Sequence, residues 1–339
     1  MQDNIISFPS DYIIKERDTD DTSIYQYRKG YGLQPDPNNS KEPQEKIKDE
    51  LLEDVTLGRL GIIEEEILRA LYLFKWLNKR NLELYLNKLS RIPQRSKKPN
   101  YRENINKLRK QGAIMTFRRK PVFAGEETEL VVYRLSEGAY NYVNMYSGLK
   151  KTYEKEKDDN YIDTAKALEI LSLNQWYISV CSSGIAKNTL YRHKYKKEGS
   201  YTLIEASAVF DVEKEKYGEK KLAIYAIALP KKEEWATDML NRLLYLNKFL
   251  QSEDAPYPAS LIVIVCESVT RMKDAYAIIK SVKELDQFNL LFTLDEDVIR
   301  GNGVDKLYSC RYNEKTKGIT YTTTKLQLFS KKASTNKVP

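Results

Sequence analysis

Two groups of residues carry the chemistry this sequence could perform. The first is a run of cations between Arg91 and Lys120, made up of Arg91, Arg95, Lys97, Lys98, Arg102, Lys107, Arg109, Lys110, Arg118, Arg119 and Lys120, against the single acid Glu103. Each Lys or Arg that neutralises a phosphate releases condensed counterions, so such a run suits a duplex backbone and predicts salt-sensitive binding. Asn100, Tyr101, Asn104 and Asn106 are interleaved with it. Asn and Arg are the side chains that pair bidentately with base edges in the major groove. The candidate DNA contacts are therefore Lys97, Lys98, Asn100, Tyr101, Arg102, Asn104, Lys107, Arg109, Lys110, Arg118, Arg119 and Lys120. The bland alternative is that the run is a solvated face, and only its placement on the fold separates the two.

The second group lies in the other half of the chain, where Glu205 sits in an apolar run, Leu203 to Phe210. A hard divalent cation needs several carboxylate oxygens, usually with a lysine to position the attacking water. On the next strand-like run, Leu222 to Leu229, Tyr225 and Ile227 stand where a second acid and that lysine would fall. Glu205 alone reads as a polar residue at a strand edge, and neither metal nor cofactor is expected. His193 is the only histidine, and Cys181, Cys266 and Cys310 show no CxxC spacing. This set does not make a zinc site of the usual kind, and isolated cysteines in apolar runs read as buried reduced thiols. There is no Walker loop around Gly301-Asn302-Gly303, nor a GxSxG, HExxH or dinucleotide fingerprint.

The elements that must position the cations follow from periodicity. Ile62 to Trp76 repeats its apolar residues at helical spacing, and Leu82, Tyr85, Leu86 and Leu89 mark the inward face of a second helix. After the basic loop, Asn100 to Lys110 reads as a third helix, with Ile105 and Leu108 inward and Gly112 ending it. Two strand-like runs, Ala113 to Arg119 and Glu129 to Leu135, flank a turn containing Pro121 and Gly125, and Ser136 caps a closing helix. Helices followed by a β-hairpin in this order describe a winged helix-turn-helix, with the cations on its third helix and first wing strand.

The 339 residues, with net charge +8 and pI about 9.0, suggest two domains and a polyanionic partner. Residues 1–50 carry turn formers and read as a flexible arm, with a short charged helix from Glu42 to Glu53. The winged domain is expected over 51–149, a charged linker over 150–160, an α/β domain over 161–330 and a loose tail over 331–339. In the α/β domain the expected helices are Tyr161 to Leu173, Glu233 to Leu250 and Val269 to Leu285. The expected strands are Gln175 to Cys181, Leu203 to Val212, Leu222 to Leu229, Ala259 to Cys266 and Asn289 to Leu294, with Val304 to Tyr312 and Gly318 to Leu328 as edges. Strand–helix alternation from Leu222 onward predicts a mainly parallel sheet. No signal peptide or membrane-length apolar run is present, so a cytoplasmic protein without a membrane partner is expected.

The pattern around Glu205, Ala208-Val209-Phe210, Ile224 to Leu229 and Leu261 to Cys266 resembles a restriction-endonuclease-like core that lacks its metal acids. A winged helix followed by such a core resembles the replication-relaxation family of plasmids and other mobile elements over roughly Leu60 to Leu294. Members of that family often carry an acid on the strand where this chain has Tyr225. The resemblance implies a non-catalytic DNA-binding accessory protein of replication, mobilisation or their regulation, working on double-stranded DNA with other replication or transfer proteins. A homodimer through the helix around Tyr140 or the one from Glu233 is compatible with it. Two rival classes remain at this point: a metal-dependent nickase or nuclease acting through Glu205, and a protein-interaction module whose basic face meets an acidic partner.

Overall fold

The apolar stripe of Ile62–Phe74 has nowhere to go but inward: Ile67, Leu68, Ala70, Leu71 and Phe74 are buried. In the computed structural model it is the second helix of a unit spanning residues 24–174, and 175–328 with Ser23 form a second unit. The structure describes residues 23–27, 30–93, 100–120, 129–149, 162–197, 200–212, 221–232, 234–252, 255, 257, 260–286, 288–301, 303–326 and 328, without the side chains of 196–201.

In the first unit the order is β1 (Gln34–Pro35), α1 (Gln44–Thr56), α2 (Ile62–Phe74), β2 (Leu77–Asn78), α3 (Lys79–Lys88), α4 (Tyr101–Lys110), β3 (Ile114–Arg119), β4 (Leu130–Leu135) and α5 (Glu137–Tyr146). Asn78 caps α3 through the Asn81 N–H, Asn100 caps α4 through the Arg102 N–H, and Ser136 caps α5 through the Ala139 N–H. Gly112 follows α4 at φ +75°, a conformation open to glycine, and turns the chain into β3. β3 and β4 pair antiparallel from Ile114↔Leu135 to Arg119↔Leu130. The two short strands extend this hairpin to a four-stranded sheet in the order β1-β3-β4-β2. The stretch assigned above to a flexible arm supplies the buried apolar side chains Tyr25, Leu33 and Ile47. The linker at 150–160 and the tail at 331–339 lie outside the described residues.

The expected strand Gln175 to Cys181 is instead the second half of α6 (Thr164–Ser182). Its Trp, Tyr, Ile and Val favour strands, but no Gly or Pro interrupts the helix before Gly184, and helical hydrogen bonding simply continues. Nearly every side chain from Ala167 to Val180 is buried, which erases the periodicity that marks an amphipathic helix.

After α6 the second unit continues with β5 (Asn188–Lys197), β6 (Ser200–Asp211), β7 (Lys221–Ala228), α7 (Trp235–Leu250), β8 (Ser260–Cys266), α8 (Val269–Lys280), β9 (Leu290–Leu294), α9 (Asp295–Arg300), β10 (Leu307–Asn313) and β11 (Gly318–Thr324). One sheet contains them in the order β11-β10-β9-β8-β7-β6-β5. It is mixed, not mainly parallel: β7, β8 and β9 are parallel, and the outer pairs are antiparallel. The two parallel pairings are made by the long helical connections through α7 and α8. Tyr225, Ile227, Ile262, Ile264 and Phe292 pack with Met239, Leu243, Met272 and Ile278 of those helices in one core.

Candidate nucleic-acid interface

Helix α4 has two distinct sides. Tyr101, Ile105 and Leu108 recur at three- and four-residue spacing and are buried. On the opposite side Arg102, Asn106 and Lys110 follow one another one turn apart, with Arg102 and Lys110 exposed and Asn106 half-buried. Lys120, at the end of β3, is exposed as well. Among the described residues Arg102, Lys110 and Lys120 make no ion pair, so their charge is available to a partner.

The other candidates are placed differently. Lys97 and Lys98 lie outside the described residues. Asn100 spends its side chain capping α4. Tyr101 is a core residue whose hydroxyl donates to Asn87 Oδ1 at 3.0 Å, and its burial pushes the phenol pKa up. It cannot stack on a base from there. Asn104 Nδ2 donates to Glu64 Oε1 at 3.0 Å. Lys107 Nζ donates to the Arg59 carbonyl at 2.7 Å and stays 40% exposed, with Glu64 at 3.5 Å. Arg119, expected on the wing surface, is 3% exposed and donates to the carbonyls of Gln26 and Ile24. The alternation of β3 turns it inward while Arg118 and Lys120 face out.

Arg109 and Arg118 converge on one buried carboxylate. Arg118 Nε lies 2.7 Å and Arg109 Nη2 3.4 Å from Asp36 Oδ2, and Arg118 Nη1 lies 2.6 Å from Glu129 Oε2. Burial works to raise the pKa of Asp36, but hydrogen bonds from the Asn38 N–H and Arg118 outweigh it and hold the carboxyl below the ordinary range. Hydrogen bonds to Asp36 and Glu129 in turn raise Arg118 further. Arg91 is bound to Glu66, a fully buried acid on α2. Charge counted along the sequence thus overstates the field, because acids on α2 and near β1 neutralise part of it.

In the second unit Glu205 is bound by Arg242 Nη1 at 2.9 Å. Tyr225, at the position of a possible second acid, is buried, which pushes its pKa up to about 12, and Ile227 is a core residue. No group of three or more His, Cys, Asp or Glu able to hold a metal occurs among the described residues. No described helix is long and apolar enough to cross a membrane. His193 packs edge-on against Tyr195 at 4.7 Å within β5. The sequence reading missed that strand, and also missed a buried ionic cluster at the ends of the parallel strands. There Lys231 Nζ lies 3.2 Å from Asp295 Oδ2 and 3.1 Å from Glu267 Oε2. Asp295 also accepts a hydrogen bond from the Ser23 hydroxyl at 3.0 Å. The signal available for it was position alone, since Glu267 and Asp295 directly follow β8 and β9 and Lys231 lies three residues past β7. Comparison with protein families, curated proteins and solved structures finds no match to this chain.

Proposed function

We propose that residues 24–149 form a winged helix-turn-helix that binds double-stranded DNA, with α4 as the helix presented to the major groove. The observation that carries this reading is the two-sidedness of α4: an apolar side fixed in the core, and a row of Arg102, Asn106 and Lys110 left open. Arg102 and Asn106 have the donor and acceptor groups that read base edges, and Lys110 and Lys120 neutralise flanking phosphates. The resemblance to the replication-relaxation family would make the target a control region of a plasmid or other mobile element, where the protein serves as an accessory factor. The pairing of Glu205 with Arg242 supports binding over metal-dependent cleavage as the role of the chain.

The test is fluorescence anisotropy with a labelled duplex over a salt series, comparing wild type with Arg102→Ala and Lys110→Ala. Each phosphate contact contributes about 0.9 to the slope of log K against log salt, or roughly eightfold at 0.1 M salt. Lys110→Ala is expected to lower the slope by about that amount on every duplex, and Arg102→Ala to weaken binding and relax sequence preference. Unchanged affinity in both variants would remove α4 from the interface.

A further inference from the structure

Arg109 lies in the last turn of α4 and Arg118 on β3, yet both guanidiniums point at the same oxygen, Asp36 Oδ2. The carboxylate is brought there by the segment 34–39, which lies along the outer edge of β3. Its backbone meets β3 through the two residues of β1 and a hydrogen bond from the Asp36 N–H to the Thr116 carbonyl at 2.9 Å, and the Asn39 side chain adds to these. Asn39 accepts from the Thr116 N–H at 2.8 Å and donates to the Thr116 carbonyl at 2.9 Å. The side chain thus completes a strand edge that backbone alone leaves open. Pro35 has no N–H to add. Arg109 and Arg118 remain 25% and 41% exposed, whereas Asp36 is almost fully covered. The Arg109 Nε is buried without a hydrogen-bond acceptor, so this arrangement leaves part of its fork unused.

A carboxylate oxygen held between two guanidiniums makes the charge-assisted contacts that a phosphodiester oxygen would make. We propose that the segment 34–39 is an autoinhibitory strap, in which Asp36 takes the place of a DNA backbone phosphate and masks Arg109 and Arg118 until it is displaced. This inference rests on the DNA-binding reading and adds a regulatory element to the same surface. Asp36 and Glu129 together cancel the charge of the two arginines. The strapped protein therefore binds duplex through Arg102, Lys110 and Lys120, and the released protein gains a contact at Arg109 and a second at Arg118, the latter still shared with Glu129.

The experiment measures duplex affinity against salt for wild type, Asp36→Asn, Asn39→Ala, Arg118→Gln and the double variant Asp36→Asn/Arg118→Gln, with circular dichroism confirming each fold. Asp36→Asn is expected to bind roughly eightfold tighter at 0.1 M salt for each arginine released, with a slope steeper by about 0.9 per arginine. Arg118→Gln should reduce the gain in the Asp36→Asn background, leaving the part due to Arg109. Asn39→Ala alters no charge and should still tighten binding by loosening the strap, which also tests the idea if Asp36→Asn fails to fold. A network that only staples the fold predicts the opposite, weaker or equal binding in both strap variants, and that result overturns the proposal. Wild-type binding with no gain in the variants refutes the strap alone, whereas no binding by any form refutes the DNA reading as well.

Discussion

Replacing Lys231 by Met tests the ionic cluster at the ends of the parallel strands. The ammonium and Asp295 are fully buried, Glu267 is 9% exposed, and the Nζ–O distances are 3.1 and 3.2 Å. Methionine fills similar volume, so the cavity contribution is small and the loss is electrostatic: Asp295 loses its ammonium partner and Glu267 keeps only Arg271. Removing one partner of a buried ion pair costs about 3–5 kcal/mol, a large part of the roughly 5–15 kcal/mol that holds a domain together. Arg271, 3.5 Å from Glu267, keeps that acid paired, which places the expected loss near the lower end of the range. Urea unfolding followed by circular dichroism gives the difference. Adding Asp295→Asn should restore most of it, because a neutral pair of similar shape replaces an uncompensated charge. Burial pulls the Lys231 pKa down, but Asp295 and Glu267 more than reverse this and hold it above the ordinary 10.5. A raised folded-state pKa means that the stabilisation is complete below about pH 10.5 and is lost as the pH rises through the folded value. On the alkaline side, wild type and Lys231→Met should therefore converge only at high pH. A loss below about 1 kcal/mol at neutral pH, or a double variant no more stable than the single one, would refute this account.

One further substitution and one reagent probe packing. Gly138 lies in the first turn of α5, and a Cβ there would stand 2.2 Å from the Gln44 carbonyl oxygen and 3.1 Å from Ile47 Cβ. Gly138→Ala should cost about 1–3 kcal/mol, against the usual gain from alanine in a helix, since the backbone of α1 must shift. A variant as stable as wild type in a thermal melt would mean that the α1–α5 approach is looser than drawn. Burial raises the pKa of all three thiols, with Cys310 pushed up to about 12 and Cys266 well above the ordinary range. A disulfide reagent at pH 8 should therefore leave Cys266 and Cys310 unlabelled in the native protein and label all three in urea, and rapid native labelling of either would contradict their burial.

Much of the first unit was legible because each of its elements carries its own end signal. Asn100, Gly112 and Ser136 mark boundaries through local hydrogen bonding or backbone conformation, and local signals survive in a single sequence. What failed was what depends on distant partners. β1 and β2 are two residues each and exist only because β3 and β4 offer free edges. β5 was hidden because Lys and Arg alternate with Tyr and His along Tyr191 to Lys196, a polarity suited to an edge strand with little apolar signal. In α6 the reverse occurred, since complete burial replaced a helical rhythm with a continuous apolar run.

The candidate site shows the same division more sharply. Eleven cations between Arg91 and Lys120 could be counted from the sequence, and the inward positions Ile105 and Leu108 fixed which side of α4 would face out. The counting could not show that Asp36 and Glu64 reach Arg109, Arg118, Asn104 and Lys107 from 40 to 82 residues away. Nor could it show that strand alternation turns Arg119 into the core. An acid close in sequence, such as Glu103, lies exposed beside the cations, while distant buried acids bind them. Desolvation decides this difference: a buried carboxylate requires a partner, and an exposed one is screened by water and salt. Among the described residues, the cations on α4 and at the end of β3 that make no ion pair are those without such a buried acid in reach. They define a smaller and more sharply placed basic surface than the sequence suggested.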